Sequence, residues 1–278
     1  LGTTHMSRPH FLLLDGSYFV FFRYHAMGLW WKRARREGEP DDPLASPRYR
    51  EAFVRNFGKK VGGLGKLVGH PAKDGPLIGV LAEDCAPGTC WRRSVCSAYK
   101  GTRKQDPLAH AHFELVRQER LFDHPFLRTR LSYPGLEGDD CIALMVEEIR
   151  RKEPLANVTI VSSDGDFKQL LGERVRMVDL KGKVTGGEET PVDPERELFC
   201  KVVAGDPSDN IPAVMPRCGR KTAEAYYDDA AKWEAKLREC PEAAGVYARN
   251  LLLVDFRLIP RPLRDGFRRE RLRLDARA

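Results

Sequence analysis

Residues 158–166 read VTIVSSDGD, a short apolar run that stops at two serines and an Asp-Gly-Asp. The run is too short for a helix, and the polar cluster that ends it has turn chemistry. It therefore reads as a buried strand with acids at its carboxyl end. The same grammar occurs twice upstream: Phe11–Leu14 ends at Asp15-Gly16-Ser17, and Leu77–Leu81 ends at Glu83-Asp84. Before the third run lies Cys141–Arg151, where Ile142, Met145, Val146 and Ile149 are spaced for one buried helix face. Helices are also predicted from Tyr18 to about Arg36 and over Tyr49–Val61, separated by the proline-bearing loop Glu37–Pro47. Strands that alternate with helices in this way predict a parallel sheet wrapped by helices. After a further apolar run, Val175–Val178, the chain turns helical, with Pro, Gly and Asn punctuation at Asp206–Gly219.

Composition narrows the class. The chain has 278 residues, 42% of them hydrophobic, a net charge of +7 and a pI near 9.0. That apolar content excludes wholesale disorder. Uninterrupted apolar runs such as Tyr18–Phe22 fall far short of the ~20 residues of a membrane span. Seven cysteines without a C-x-x-C pair argue against a disulfide framework and against a zinc site. A soluble, intracellular, mildly basic protein is expected, with no membrane partner. Leu1–His5 reads as an expression scar ahead of Met6. Gly62-Gly63-Leu64-Gly65-Lys66 is no phosphate loop, because Leu67 stands where a Ser or Thr would hold a metal ion.

The acids carry the chemistry. In a parallel sheet the carboxyl ends of all strands share one edge, so Asp15, Asp84, Asp164 and Asp166 should converge there. Glu137, Asp139 and Asp140 open the Cys141–Arg151 helix, and three acids exceed what a helix start needs. Asp206 and Asp209, three apart, add a fifth contribution. Nine carboxylates so gathered would raise one another's pKa values unless cations neutralised them. Oxygen donors without clustered His or Cys select Mg²⁺ or Mn²⁺. Two ions about 3.5–4 Å apart suit hydrolysis of a phosphodiester, one activating water and the other stabilising the leaving oxygen.

A basic counterpart lies between these acids. Trp91–Gln105 (WRRSVCSAYKGTRKQ) holds five basic residues, two aromatics and no acid. Lys100 and Arg103 are placed to touch a scissile phosphate, and Tyr99 to stack on a base. Four arginines follow before Tyr133 on an expected helix long enough to arch over a groove. Gly219-Arg220-Lys221-Thr222 opens another helix, whose free N–H groups beside two cations make a phosphate site.

Taken in order, FLLLDGS, VLAED, YKGTR, EGDD, SSDGDFKQLL and GDPSDNIP resemble the 5′-nuclease (flap endonuclease) superfamily, from about Phe11 to Pro260. The family includes phage 5′-3′ exonucleases, RNase H-type enzymes and the 5′-nuclease domain of bacterial DNA polymerases. The resemblance implies an α/β, PIN-like core with a mostly parallel sheet over residues 6–190, including a helical arch at about 91–133. Residues 191–278 would form a helical region with a helix-3-turn-helix module that grips duplex DNA. By the same analogy Asp15, Asp84, Glu137 and Asp139 look like ligands of a first metal ion. Asp164, Asp166 and Asp206 look like ligands of a second, with Asp140 and Asp209 shared or just behind. Lys100 and Arg103 match the residues that contact the scissile phosphate. Residues Gly205–Thr222 match the hairpin, which in some members holds a monovalent cation, K⁺.

The sequence departs from the family in reading EGDD for EADD, and in reading Met215-Pro216-Arg217-Cys218-Gly219 where the family usually has glycine near Arg217. Residues Gly28–Gly69 match no motif. The expected activity is that of a monomeric, divalent-metal-dependent 5′-3′ exonuclease or structure-specific flap endonuclease. Its substrates would be DNA with 5′ ends or flaps, or RNA:DNA hybrids, in replication or repair. Two other readings are a catalytically inactive DNA-binding relative, which should have lost some of the nine acids, and a PIN-type ribonuclease on single-stranded RNA, against which the hairpin and arch argue.

Overall fold

A computed structural model describes residues 8–70 and 76–275, with side chains through residue 270. Leu1–His5, the expected expression scar, lies outside the described residues. In chain order the elements are β1 (His10–Asp15), α1 (Gly16–Ala34), α2 (Pro47–Gly62), α3 (Leu64–Leu67) and β2 (Leu77–Ala82). Next come α4 (Arg92–Val95), α5 (Pro107–Gln118), β3 (Thr129–Leu131), α6 (Gly138–Lys152) and β4 (Asn157–Val161). A 3₁₀ segment at Gly165–Leu170 leads to the hairpin of β5 (Val175–Val178) and β6 (Val184–Gly186). Five helices finish the chain: α7 (Pro194–Ala204), α8 (Arg220–Asp228), α9 (Ala230–Glu239), α10 (Pro241–Val254) and α11 (Arg261–Asp275).

The six strands lie in the order β3-β2-β1-β4-β5-β6, all parallel except β6. Strand alternation sorts their side chains onto two faces. Leu13, Val80, Val158 and Ile160 face α6, where Ile142, Val146 and Ile149 meet them. Leu12, Leu14, Leu81 and Val161 face the other way, onto Phe19 and Val20 of α1 and Phe53 and Phe57 of α2. The apolar runs read as strands are thus buried on both sides, as a doubly covered parallel sheet requires. Cys200, Val203, Met215, Ala223, Tyr226 and Trp233 form a separate cluster within α7–α10. Phe256, Ile259 and Phe267 return to pack on the α6 face.

The 91–133 segment departs from the expected long helical arch. Asp106 caps α5, accepting from the N–H groups of Leu108 and Ala109, with Pro107 at the first helical position. The helix stops at Gln118, and turns carry the chain to β3. The inner face of α5 is consumed by packing: Ala109, His112, Leu115 and Val116 are buried, and His112 Nε2 lies 2.8 Å from the Tyr49 hydroxyl. The arginines that follow are exposed, and Arg117, Arg120 and Arg130 pair with Glu114, Asp123 and both Asp123 and Glu83, respectively.

Close approach at the carboxyl edge fixes one residue type. A Cβ on Gly16 would sit 2.7 Å from the Ala82 carbonyl oxygen and 3.1 Å from Leu81, so α1 can leave β1 against the end of β2 only with glycine there. Gly16→Ala should cost about 1–3 kcal/mol as overpacking does elsewhere. A melting temperature several degrees below wild type in thermal denaturation checks this, and an unchanged one would show the strands can spread.

Candidate active site

Every acid named from the sequence lies at or beyond the carboxyl edge of the sheet, but the nine do not form one cage. Among the described residues no three His, Cys, Asp or Glu side chains stand ready about a single point. The acids divide into three groups, distinguished by what neutralises them.

The first group is Asp15, Asp84, Asp139 and Asp164, brought from β1, the turn after β2, the start of α6 and the turn after β4. Local hydrogen bonds set the rotamers of three of them. Asp15 accepts from the Tyr18 N–H at 2.9 Å and the Ser162 hydroxyl at 2.8 Å. Asp84 accepts from the Ser17 hydroxyl at 2.6 Å and the Gly138 N–H at 2.7 Å. Asp164 accepts from the Asp166 N–H at 2.8 Å. None of the four carries an ion pair among the described residues. Burial, with Asp84 and Asp164 nearby, pushes the Asp15 carboxyl up to about 7 against the lowering pull of its own donors. Burial first, and then Asp15, Asp164 and Asp84, hold Asp139 well above the ordinary carboxylate range.

The second group is Glu137 and Asp209, and it is saturated with donors. Glu137 accepts from Lys100 Nζ at 2.5 Å, the Tyr99 hydroxyl at 3.0 Å, Arg92 at 3.2 Å and the Cys90 thiol at 3.2 Å. Burial works against its charge, but Lys100 and Arg92 win and hold it below its ordinary value. Asp209 accepts from Arg103 at 2.6 Å and from Tyr99 at 3.2 Å. The backbone is stitched together in the same place. The Lys100 N–H donates to the Asp209 carbonyl at 3.0 Å, and the Thr102 N–H and hydroxyl donate to Asn210 Oδ1. Lys100 itself has φ 54°, a left-handed conformation rare for a residue with a side chain. Such strain is held in place only where the surroundings over-determine it, here by docking of 99–103 onto 206–210.

The third group is Asp166 and Asp206, bridged by Lys201 from the last turn of α7. The ammonium contacts Asp166 and lies 2.9 Å from Asp206. Burial and Asp164 leave Asp166 at about 6 in spite of Lys201, whereas Asp206, less buried, falls to about 2 with Lys201 and Ser208 donating to it. Gly205 makes this return possible. It has φ +72°, and a Cβ would lie 2.5 Å from the Ile211 carbonyl oxygen.

Three of the residues named from the sequence are already held by protein partners. Asp140 is fully buried and faces Arg92 through two hydrogen bonds of 2.7 and 2.8 Å, with Trp91 Nε1 at 3.1 Å. It closes a capping box with Glu137 and anchors α6, so its oxygens are spent. Tyr99 is 4% exposed and cannot stack on a base; its hydroxyl serves Glu137 and Asp209. Arg220 is paired with Glu197 at 2.6 Å and Glu224 at 2.7 Å. Gly219, Lys221 and Thr222 do stand at the start of α8, which has no side-chain cap, with Gly219 and Lys221 exposed.

Sequence reasoning missed Arg92, Lys201, Ser17, Ser162 and Asn210. The two serines and the Asn lie inside the quoted motifs, where a polar side chain beside an acid was the available signal. Lys201 and Arg92 had none, since their partners are remote or lie across a turn.

Comparison with known proteins agrees with this architecture. Residues 64–196 match the 5′-3′ exonuclease, N-terminal resolvase-like domain. DNA polymerase I of Rhizobium leguminosarum is 28% identical over 259 residues, covering 88% of this chain and 23% of the polymerase. The 5′-3′ exonuclease of Bacillus subtilis (strain 168) is 31% identical over 153 residues, 48% of this chain and 49% of that one. The chain thus spans about a quarter of the polymerase and half of the exonuclease. Among solved structures, T5 5′-exonuclease with bound zinc superposes with a TM-score of 0.65 at 19% identity, over 95% of this chain and 98% of the other. The bacteriophage T5 D15 flap endonuclease, in a pseudo-enzyme-product complex with DNA and metal ions, gives 0.61 at 16% identity, over 95% and 98%.

The crowded first group has a measurable consequence. Folded, Asp15 keeps its proton up to about pH 7; unfolded, only to its ordinary 3.8. The metal-free fold therefore loses stability as pH rises through that window. Asp15→Asn removes the penalty. In EDTA at pH 8 its melting temperature should exceed that of wild type by at least about 3 °C, and the difference should close below pH 4. Equal melting at both pH values would contradict the crowding.

Proposed function

We propose that this chain, which through residues 64–196 belongs to the 5′-3′ exonuclease / flap endonuclease family, hydrolyses phosphodiester bonds in DNA bearing 5′ ends or flaps. RNA:DNA hybrids fall within the same reading, as does a monomeric enzyme acting inside the cell in replication or repair. The observation that carries it is the first acid group: four carboxylates with no ion pair among the described residues, two of them driven toward protonation by burial and by one another. A hard divalent cation suits such a donor set, and Mg²⁺ or Mn²⁺ is the ion of choice. Asp15, Asp84, Asp139 and Asp164 would hold the first ion, with Glu137 once freed from its donors. Asp166, Asp206 and Asp209 lie toward a second. Bound there, such ions supply Lewis acidity toward water and the phosphate oxygens.

The chain's own groups do the rest. Lys100 and Arg103 rest on Glu137 and Asp209, within the same site. From there they can reach a phosphate that enters beside the acids and stabilise the charge that develops on it. Tyr99 holds Glu137 and Asp209 in register, and Arg92 with Asp140 fixes the start of α6. The uncapped N-terminus of α8, with Lys221 exposed, is read as a contact to the DNA backbone away from the scissile bond. The hairpin before it is read as the place for K⁺. In this organisation residues 6–190 cut and residues 191–278 grip.

Two experiments test the reading. Purified protein with Mg²⁺ or Mn²⁺ should cleave 5′-flap and 5′-ended duplex substrates and fall silent in EDTA. Asp164→Asn should lower the rate by at least about 10³-fold. Cleavage of none of these, or binding that persists in EDTA without turnover, would leave only a DNA-binding protein. In the second, Lys100→Ala should lower kcat by about 10²–10³-fold with a smaller change in KM. A loss confined to KM would place Lys100 in binding alone.

A further inference from the structure

We infer that Lys201 is the resident counter-ion of Asp166 and Asp206, and that a second divalent ion enters only by expelling it. This rests on the metal-dependent reading above. The geometry points to it in three ways. The Lys201 ammonium contacts Asp166 and stands 2.9 Å from Asp206, so it already occupies the space between the two carboxylates. All three side chains are about one-fifth exposed, at 19%, 17% and 21%, which leaves little water to screen a second cation beside the first. And the first acid group, by contrast, contains no lysine or arginine ion pair among the described residues.

The placement is built into the fold. Lys201 stands in the last turn of α7, where helix carbonyls favour a cation. The Gly205 turn swings Asp206 back onto it, and the 3₁₀ segment after β4 brings Asp166 from the other side. A second bridge, Lys168 to Glu197 at 3.1 Å, fixes the same segment against α7. The two ion sites are therefore unequal by construction. The first has no lysine or arginine to expel among the described residues. The second is an exchange of one positive charge for two on the same oxygens, in which the lysine must find another anion. Substrate phosphate supplies one, so uptake of the second ion is coupled to substrate.

Mn²⁺ binding, followed by electron paramagnetic resonance of the free ion, measures this without turnover. Wild type should take up one ion readily and a second weakly. Lys201→Met, which keeps the stem and removes the charge, should tighten the second step by at least about tenfold, or ~1.4 kcal/mol. Lys201→Arg should keep the wild-type isotherm. In EDTA, Lys201→Met should melt below wild type and recover with Mg²⁺. Magnetic resonance of the lysine ammonium groups in wild type gives an independent test that needs no variant: the Lys201 signal should shift at the second step of a Mg²⁺ titration. A Lys201→Met isotherm that overlays wild type, or a Lys201 signal indifferent to Mg²⁺, overturns the inference while the nuclease reading stands. A wild-type chain that neither takes up Mn²⁺ nor cleaves overturns both.

Discussion

Mutual repulsion among buried carboxylates is the constraint around which this molecule is arranged. A parallel sheet delivers the ends of β1, β2 and β4 to one edge, and each of those ends carries an acid. Left alone, such a group would protonate or force the strands apart. The local chain answers with dipoles rather than charges. Ser17, Ser162 and the N–H groups of Tyr18, Gly138 and Asp166 each donate to one of these acids. Those donors orient the carboxylates without neutralising them, which keeps an acidic pocket acidic and makes Gly16 a necessity of packing.

Where neutralisation does occur, it comes from distant sequence and ties the two halves of the chain together. Arg92 is the clearest case. It is 3% exposed, faces Asp140 and Glu137 at the start of α6, and donates to the Leu253 carbonyl at the end of α10. Burying a guanidinium is tolerable only when its donors are nearly all used, and here one side chain joins the acid cluster to the C-terminal helices. Lys100, Arg103 and Thr102 repeat the pattern on Asp209 and Asn210. The turn GDPSDN is therefore a landing for the basic segment as well as a source of acids.

Four of the six strands, the α6 face and the acids at the strand ends were legible because they depend on local patterns, whereas β3 and β6, three residues each, are too short to carry one. A run such as VTIV must be buried on both sides, and an acid at its end must face the shared edge. The pairings were not legible, because they are choices among remote partners that periodicity does not encode. Tyr99 between two basic stretches reads as a stacking residue until its 4% exposure shows it under Glu137. Arg220 at a helix start reads as a phosphate contact until Glu197, a helix away, claims it. Arg217 shows a hairpin signal of the opposite kind. Its φ is +60°, so the backbone takes the left-handed turn that glycine adopts freely and bears its strain with a side chain present.

The charge balance takes on a different meaning in this light. Setting nine site acids apart from the 40 leaves 31 against 47 basic residues, which would suggest a strongly basic surface. In the fold itself that surplus is not all available. Arg92, Lys100, Arg103 and Lys201 are spent on the site's own acids. On the reading proposed above, cations that occupy the acids release lysines and an arginine toward an incoming phosphate. Occupancy of the acidic centre and affinity for the DNA backbone then rise together, through exchange of one set of ion pairs for another. A protein of modest net charge can in this way show its basic face chiefly when it is ready to cut.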